Sequence, residues 1–186
     1  GVFASEDWLA TWQSCGEVDY RVDEVEGSPL PSALRGGCLY RAGPAKFERG
    51  GQRYQHVLDG DGYVLKLAFD ADGAGAEATG RFVRTAWFQD EDARGEVLYR
   101  NTFGTQPDGA LRNLLDIELK NVANTNAVVW GGRLHALWEA GVPHELDVAS
   151  LRTLGTSSLG GLVELGPAGR GQPVDLGVPA LNELMG

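Results

Sequence analysis

The chain has 186 residues, of which 42% are apolar, which suits one folded domain and excludes a disordered chain. Its net charge of −10 would repel phosphate, so we expect no nucleic-acid partner. The two cysteines, Cys15 and Cys38, make no disulfide framework, and the sequence shows neither a signal peptide nor a transmembrane run, so a reducing compartment is expected.

Residues 1–32 differ in composition from the rest and are predicted to form a helical and extended segment. The stretch "SEDWLATW" offers Ser5 as an N-cap, acidic residues in the first turn and apolar residues at helical spacing, which predicts a short N-terminal helix. Pro29 and Pro31 then prevent regular structure. The second predicted unit covers residues 33–186.

Strand-like segments alternate with turns in this second unit, and the 27 glycines of the chain are about twice the usual share of roughly 7%. The segments are "CLYRAG", "QRYQHVLDGDGYVLKLAFDADG", "EATGRFVRTAWF" and "GEVLYRNTFGT", with "QDEDARG" as a helical turn before the last. The clearest passage predicts strands Ala127–Trp130, Arg133–Trp138 and Pro143–Leu146 between glycine turns. Short, evenly spaced strands predict an all-β fold, a propeller blade or a barrel.

One motif places a histidine beside a pair of aspartates and invites a metal or acid–base interpretation. It consists of His56, Asp59, Gly60, Asp61 and Gly62. Asp-Gly is the favoured type I′ hairpin pair, so we interpret the motif as a turn between two strands. A calcium loop would need further oxygen ligands where Tyr63 and Leu65 stand. A glycosidase pair of carboxylates has no support beyond the adjacency of the two acids.

The other candidate residues do not form a recognisable site. The three histidines, His56, His135 and His144, lack metal-binding spacing and are interpreted as structural or surface residues. No nucleophile elbow, P-loop or dinucleotide-binding glycine pattern is present. Glu139 ends an apolar strand, where an acid is either solvated or orients a ligand histidine. The residues alone therefore indicate a glycine-rich β domain without a visible active site.

Several ordered blocks nevertheless resemble the carotenoid cleavage oxygenases. They are "GCLYRAGPAKFERGGQRYQHVLDGDGYVLKLAF", "RFVRT", "YRNTFGT" and "NVANTNAVVWGGRLHALWEAGVPHELDVASLRTLG", from about Leu34 to Gly155. The resemblance implies the first blades of a partial seven-bladed β-propeller. It also implies a non-haem Fe(II) dioxygenase, in which four histidines hold the metal and O₂ splits a conjugated double bond of a carotenoid, apocarotenoid or stilbene.

The chain departs from that pattern in its histidines. Four ligands are needed and three histidines are present, and the resemblance does not assign His56 as a ligand. We therefore expect an N-terminal fragment that binds no metal and is inactive alone, with Fe(II) held only in the full-length protein. The resemblance further implies a carotenoid or apocarotenoid substrate with O₂, peripheral membrane contact, and a location in the cytoplasm or a plastid.

Within the resemblance, Glu139 matches the acid that hydrogen-bonds a histidine ligand of the iron, whereas the motif from Asp59 to Gly62 has a structural role. Two other functions stay open at this point. A partial propeller without ligands would serve as a binding or scaffold module. A sugar-active propeller would need two carboxylates about 5–10 Å apart.

Overall fold

A computed structural model describes residues 12–23, 30–107 and 119–162. Within these ranges the chain forms ten strands, one α-helix and two 3₁₀ helices. In chain order the strands are β1 (Val18–Asp23), β2 (Cys38–Lys46), β3 (Glu48–Arg49), β4 (Gln52–Arg53), β5 (Asp61–Phe69), β6 (Gly75–Phe82), β7 (Asn126–Trp130), β8 (Arg133–Leu137), β9 (His144–Leu146) and β10 (Thr153–Thr156). The helices are α1 (Ala86–Arg94) and the 3₁₀ turns Ser32–Leu34 and Val57–Asp59.

The first four-stranded sheet is antiparallel, in the order β1-β6-β5-β2. Its outer strand β1 lies inside the predicted segment 1–32, where Val18, Tyr20 and Val22 alternate with polar residues. Such alternation is the two-residue period of a strand, so part of that segment belongs to the sheet. The helix predicted from Ser5 lies almost entirely outside the described residues.

The second four-stranded sheet is the predicted meander, in the order β10-β9-β8-β7. The predicted strands are confirmed, with ends that differ by one residue at most. Gly131 and Gly132 join β7 to β8 with φ of 59° and 76°. Positive φ at both central residues is the type I′ geometry that favours glycine in two-residue hairpins.

Apolar side chains of both sheets meet in one core. Its buried members are Val64, Val83, Ala123, Leu134, Ala136, Leu146 and Leu151. Val64 comes from β5 of the first sheet, and Leu134 and Leu146 come from β8 and β9 of the second. The loop residue Ala123 completes this core, which fixes the segment before β7 against both sheets.

Helix α1 corrects the prediction that "EATGRFVRTAWF" is one strand. Strand β6 ends at Phe82, and the hydroxyl of Thr85 accepts a hydrogen bond from the Phe88 amide at 3.1 Å. This is an N-cap, and Gly95 ends the helix with a left-handed φ of 69°. The predicted strand "GEVLYRNTFGT" is also wrong, because residues 96–105 hold only an isolated bridge from Arg100.

No helix within the described ranges is long and apolar enough to cross a membrane.

Replacing Gly62 by alanine should lower the free energy of unfolding by about 3 kcal/mol. A Cβ at this position would overlap the carbonyl oxygens of Val122 and Ala123. The backbone cannot move away easily, because the Gly62 amide donates to Val122 O at 2.8 Å. Urea denaturation measures the change. The matched control is Gly43→Ala on the paired strand β2, where a Cβ meets nothing within 4 Å. Equal stability of the two variants would contradict the packing argument.

Candidate functional site

Glu139 follows β8 and holds a fixed position at the surface. The hydroxyl of Thr125 donates a hydrogen bond to Glu139 Oε2 at 2.8 Å. The Thr125 amide donates to Leu137 O at 3.1 Å, which extends the pairing of β7 and β8 by one step. The other carboxylate oxygen, Oε1, makes no hydrogen bond within the described residues. The carboxylate is therefore oriented through one oxygen and presents the other as an acceptor.

Two asparagines anchor the segment that carries Thr125. Asn121 donates from Nδ2 to Val142 O at 3.0 Å and accepts from the Ala123 amide at 3.0 Å. Asn124 donates from Nδ2 to Leu58 O at 2.9 Å and to Gly60 O at 2.8 Å. The segment 121–125 is therefore bound both to the turn after Glu139 and to the 3₁₀ turn Val57–Asp59.

The motif from Asp59 to Gly62 links segments that are distant in the sequence, and it does not form the predicted type I′ hairpin. Gly60 has φ −61° and ψ 141°, and β4 pairs with β3 rather than with β5. The carboxylate of Asp59 accepts hydrogen bonds from the amides of Phe103 at 2.8 Å and Thr105 at 3.0 Å. Phe103 and Thr105 are distant from Asp59 in the sequence. Their hydrogen bonds hold the start of the motif in a 3₁₀ turn instead of a hairpin.

Asp61 belongs to a buried network of charged and polar side chains. Its members, each at most 4% exposed, are Arg49, Tyr54, Asp61, Glu91 and Lys120. Lys120 Nζ lies 2.6 Å from Glu91 Oε2 and 2.5 Å from Asp61 Oδ1. The contact with Asp61 is an ion pair whose angles are not those of a hydrogen bond. Arg49 Nη2 donates to Asp61 Oδ2 at 3.0 Å, and Arg49 Nε lies 3.2 Å from Glu91 Oε2. Two cations thus face two carboxylates away from solvent.

The pKa values in this network favour a structural role. Burial by itself would lower the pKa of Lys120, but the negative charges of Asp61 and Glu91 outweigh burial and raise that pKa above its ordinary value. Burial raises the pKa of Tyr54, whose hydroxyl donates to Asp61 Oδ2 at 3.1 Å. Lys120 is therefore charged and Tyr54 neutral at neutral pH, and neither is poised to transfer a proton.

The histidines lie in two regions: His56 precedes the 3₁₀ turn Val57–Asp59, and His135 and His144 lie one register step apart on the paired strands β8 and β9. His56 Nδ1 accepts from the Leu58 amide at 3.1 Å, and its ring stacks on Phe103 with the ring centres 4.8 Å apart. His135 and His144 are each 2% exposed, and the Nδ1 atom of each lacks a hydrogen-bond partner in the part of the chain that the structure describes. The described ranges contain no group of three His, Cys, Asp or Glu side chains that could hold a metal. No group among them could itself hold iron, and Glu139 keeps one carboxylate oxygen unused within the same ranges.

His144 should make the protein sensitive to acid. Burial lowers the pKa of His144 from 6.5 to about 4, so the unfolded chain binds a proton there that the folded chain does not. Above pH 6.5 the titration of His144 does not change the free energy of unfolding. As the pH falls from 6.5 towards 4, protonation of the unfolded chain lowers the free energy of unfolding by about 3 kcal/mol in all.

Urea denaturation at a series of pH values measures this loss. The variant His144→Leu should have a flatter dependence of stability on pH over that interval than the unmodified protein. The control variant His56→Asn, which keeps a capping side chain, should retain the steep dependence. An unchanged slope in His144→Leu would remove the assignment to this histidine.

Sequence reasoning named Glu139 as a candidate but did not name the residues that contact it. Thr125, Asn121 and Asn124 stand in "LKNVANTN", a run of polar residues directly before a strand. Asn121 is fully buried there and Asn124 is 7% exposed. Buried side-chain amides need hydrogen-bond partners. Several asparagines directly before an apolar strand therefore indicate a segment that is held in place by side-chain hydrogen bonds.

Comparison with known proteins identifies the family. The family model described as retinal pigment epithelial membrane protein matches residues 12–172. The apocarotenoid-15,15′-oxygenase of Synechocystis is 44% identical over 166 residues, which are 88% of this chain and 33% of that protein. The chloroplastic carotenoid cleavage dioxygenase 7 of Oryza sativa is 36% identical over 141 residues, 74% of this chain and 23% of that protein.

Solved structures show the same fold. The cobalt-substituted Synechocystis enzyme superposes with a TM-score of 0.82 and 43% identity, over 91% of this chain and 34% of that one. The two four-stranded sheets are therefore part of a seven-bladed β-propeller, and the all-β prediction is confirmed. The chain spans about a third of the length of this relative. It belongs to the retinal pigment epithelial membrane protein family, which includes the carotenoid oxygenases.

Proposed function

We propose that the intact protein is a non-haem Fe(II) dioxygenase that cleaves a conjugated double bond of a carotenoid or apocarotenoid. The observation that carries the proposal is the 44% identity, over 88% of the chain, to an apocarotenoid-15,15′-oxygenase. A second relative is named as a carotenoid cleavage dioxygenase. The local geometry supports the proposal because Glu139 is fixed by Thr125 and keeps one acceptor oxygen unused within the described residues.

Glu139 acts in this proposal as a positioning residue. Its free oxygen would accept the N–H of a histidine whose other nitrogen binds iron, and this fixes the imidazole tautomer and raises the basicity of the ligand. When bound, the iron supplies the activation of O₂. The ligand histidines lie outside the residues described here, because these contain no convergent ligand group. The chain contributes one wall of the site and the carboxylate that orients a ligand.

We also propose a location and partners for the intact protein. Both carotenoid cleavage dioxygenase 7 relatives are named chloroplastic, and Cys15 and Cys38 are free and exposed, as a reducing compartment allows. We therefore propose the cytoplasm or a plastid, and peripheral contact with a membrane as the source of a polyene substrate.

The test is cleavage by the intact protein under ¹⁸O₂. Iron-loaded protein is mixed with an apocarotenal, and the products are reduced at once to alcohols so that their oxygen cannot exchange with water. A dioxygenase breaks one C=C bond and places one oxygen atom on each new carbonyl, so mass spectrometry should find label in both products. Absence of cleavage by iron-loaded protein, or label in one product only, would overturn the proposal.

The 186-residue chain alone should retain no stoichiometric iron and should not turn over substrate. Three histidines cannot supply the four imidazoles that the proposed centre requires, and the described residues offer no alternative group. Metal analysis after anaerobic incubation with Fe(II) and desalting measures this directly, with the intact protein as the positive control. One iron per chain in the short protein would contradict the expectation.

A further inference from the structure

We infer that Asn121 and Asn124 are positioning residues for Glu139, and that they fix the distance between this carboxylate and the 3₁₀ turn Val57–Asp59. The inference rests on the role of Glu139 in the proposed function. The two asparagines belong to the short segment 121–125. This segment ends at Thr125, whose hydroxyl donates to the Glu139 carboxylate. Asn121 uses both its Nδ2 and its Oδ1 in hydrogen bonds, and Asn124 uses its Nδ2 in two.

Asn124 connects this segment to the turn before β5. Both Nδ2–H groups are used, one on Leu58 O at 2.9 Å and one on Gly60 O at 2.8 Å. The side chain is 7% exposed, so water does not replace these bonds readily. The next residue is Thr125, whose hydroxyl reaches Glu139. A shift of Asn124 is therefore passed on to the carboxylate within one residue.

Asn121 connects the same segment to the chain beyond Glu139. Its Nδ2 donates to Val142 O at 3.0 Å, three residues after the carboxylate. A Cβ on Gly141 would lie 2.5 Å from this Nδ2, so the turn approaches the amide closely and depends on glycine there. Glu139 is thus held between Thr125 on one side and the turn anchored by Asn121 on the other.

The backbone between the two asparagines is strained, which gives their bonds a specific purpose. Ala123 has φ 48° and is fully buried, a left-handed conformation that side-chain-bearing residues seldom adopt. The Ala123 amide donates to Asn121 Oδ1 at 3.0 Å. Such a conformation persists where surrounding contacts determine it. The asparagines supply part of these contacts, beside the core packing of Ala123 and the Gly62 amide that donates to Val122 O. We expect the end of the segment, before Thr125, to relax without Asn124.

A double-mutant cycle on the intact protein tests the inference. Fe(II) affinity of the apoprotein is measured anaerobically by competition with a chelator for Asn124→Ala, Glu139→Gln and the double variant. Asn124→Ala should weaken iron binding about tenfold. This is the lower limit of the loss that usually follows when a hydrogen-bond partner of a metal ligand is removed. In the Glu139→Gln background it should have no further effect, because both changes remove the same support. Turnover should fall in kcat with KM unchanged.

The matched control is Asn126→Ala, which removes the same side chain two residues further along. Asn126 is exposed, and its Oδ1 accepts only from the adjacent Ala127 amide within the described residues. Iron affinity should stay within twofold of the unmodified protein. If Asn124→Ala does not fold, Asn121→Ala takes its place, because alanine removes both the donor to Val142 O and the acceptor for the Ala123 amide without introducing a charge.

The outcomes separate the inference from the function on which it rests. Losses that add in the double variant would overturn the positioning role while the role of Glu139 stands. Unchanged iron affinity in Glu139→Gln would overturn the role of Glu139 itself. A loss in the Asn126→Ala control equal to that in Asn124→Ala would show a general effect of the segment and would also overturn the inference.

Discussion

Replacing Lys120 by methionine should lower the free energy of unfolding by about 3–5 kcal/mol, the usual cost of leaving a buried charge without its partner. Lys120 is fully buried and lies 2.6 Å from Glu91 Oε2 and 2.5 Å from Asp61 Oδ1. Without it, the single guanidinium of Arg49 would face both of these carboxylates and also Asp92, which it already contacts at 2.9 Å. Water cannot reach the uncompensated charge.

The control for this variant is Lys46→Met. Lys46 pairs with Asp92 at 3.0 Å, and the two side chains are 26% and 41% exposed. Asp92 keeps its contact with Arg49, and exposed pairs contribute about 0–1 kcal/mol, so the loss should stay below about 1 kcal/mol. Urea denaturation of the intact proteins measures both changes. Equal losses in the two variants would show that burial does not determine the cost.

A second variant identifies charge, rather than packing, as the cause. In Lys120→Met combined with Asp61→Asn, Arg49 and Glu91 remain as a neutral pair 3.2 Å apart. This double variant should be more stable than Lys120→Met alone, because the uncompensated carboxylate is gone. If the double variant is less stable than the single one, lost packing around Lys120 explains the effect instead.

The parts of the fold that the sequence predicted depend on neighbours along the chain. Strands β7 to β9 follow from alternation and from the glycine pair Gly131 and Gly132, whose backbone needs positive φ. Helix α1 carried the same kind of local signal, a capping Thr85 and a terminal Gly95. The helical turn predicted at "QDEDARG" matches its second half, but its first turn was missed because aromatic residues favoured a strand.

The parts that could not be predicted depend on residues far apart in the sequence. Asp59 and the Phe103 amide are 44 residues apart, and Lys120 and Glu91 are 29 residues apart. Local propensity sees an Asp-Gly pair and predicts a hairpin, because the amides that bind the carboxylate are not visible in the motif. The resemblance identified Glu139, but it gave no indication of Thr125 as the residue that orients it.

The buried network and the support of Glu139 share one segment of chain. Lys120, in the network, is followed directly by Asn121, and Gly62 follows Asp61 and donates to Val122 O at 2.8 Å. The network thus fixes the start of the segment and Asn124 fixes its end. A stable buried ion network at this place gives the segment a single conformation, which the orientation of a carboxylate at its far end requires.

Glu139→Gln should weaken iron binding or turnover of the intact protein about 10–100-fold. Glutamine is nearly the same size, but only its oxygen accepts hydrogen bonds. If that oxygen stays with the Thr125 hydroxyl, now 2.8 Å from Oε2, the amide group meets the N–H of the ligand histidine with another donor. If the side chain flips, the amide N–H donates to the Thr125 hydroxyl, which can also accept, and the amide oxygen accepts from the imidazole. That acceptor is then neutral, and its hydrogen bond to the imidazole is weaker than the one a carboxylate makes.

The same substitution on a neighbouring strand provides the control. Glu145 in β9 pairs with Arg133 at 3.0 Å, and Glu145→Gln should leave iron content and turnover unchanged. Both variants should melt within a few degrees of the unmodified protein, because exposed polar contacts add little to stability. Iron content, iron affinity and turnover are measured on the same preparations. Full iron content and full turnover in Glu139→Gln would exclude the positioning role, because a neutral amide is a weaker acceptor for the imidazole N–H than a carboxylate.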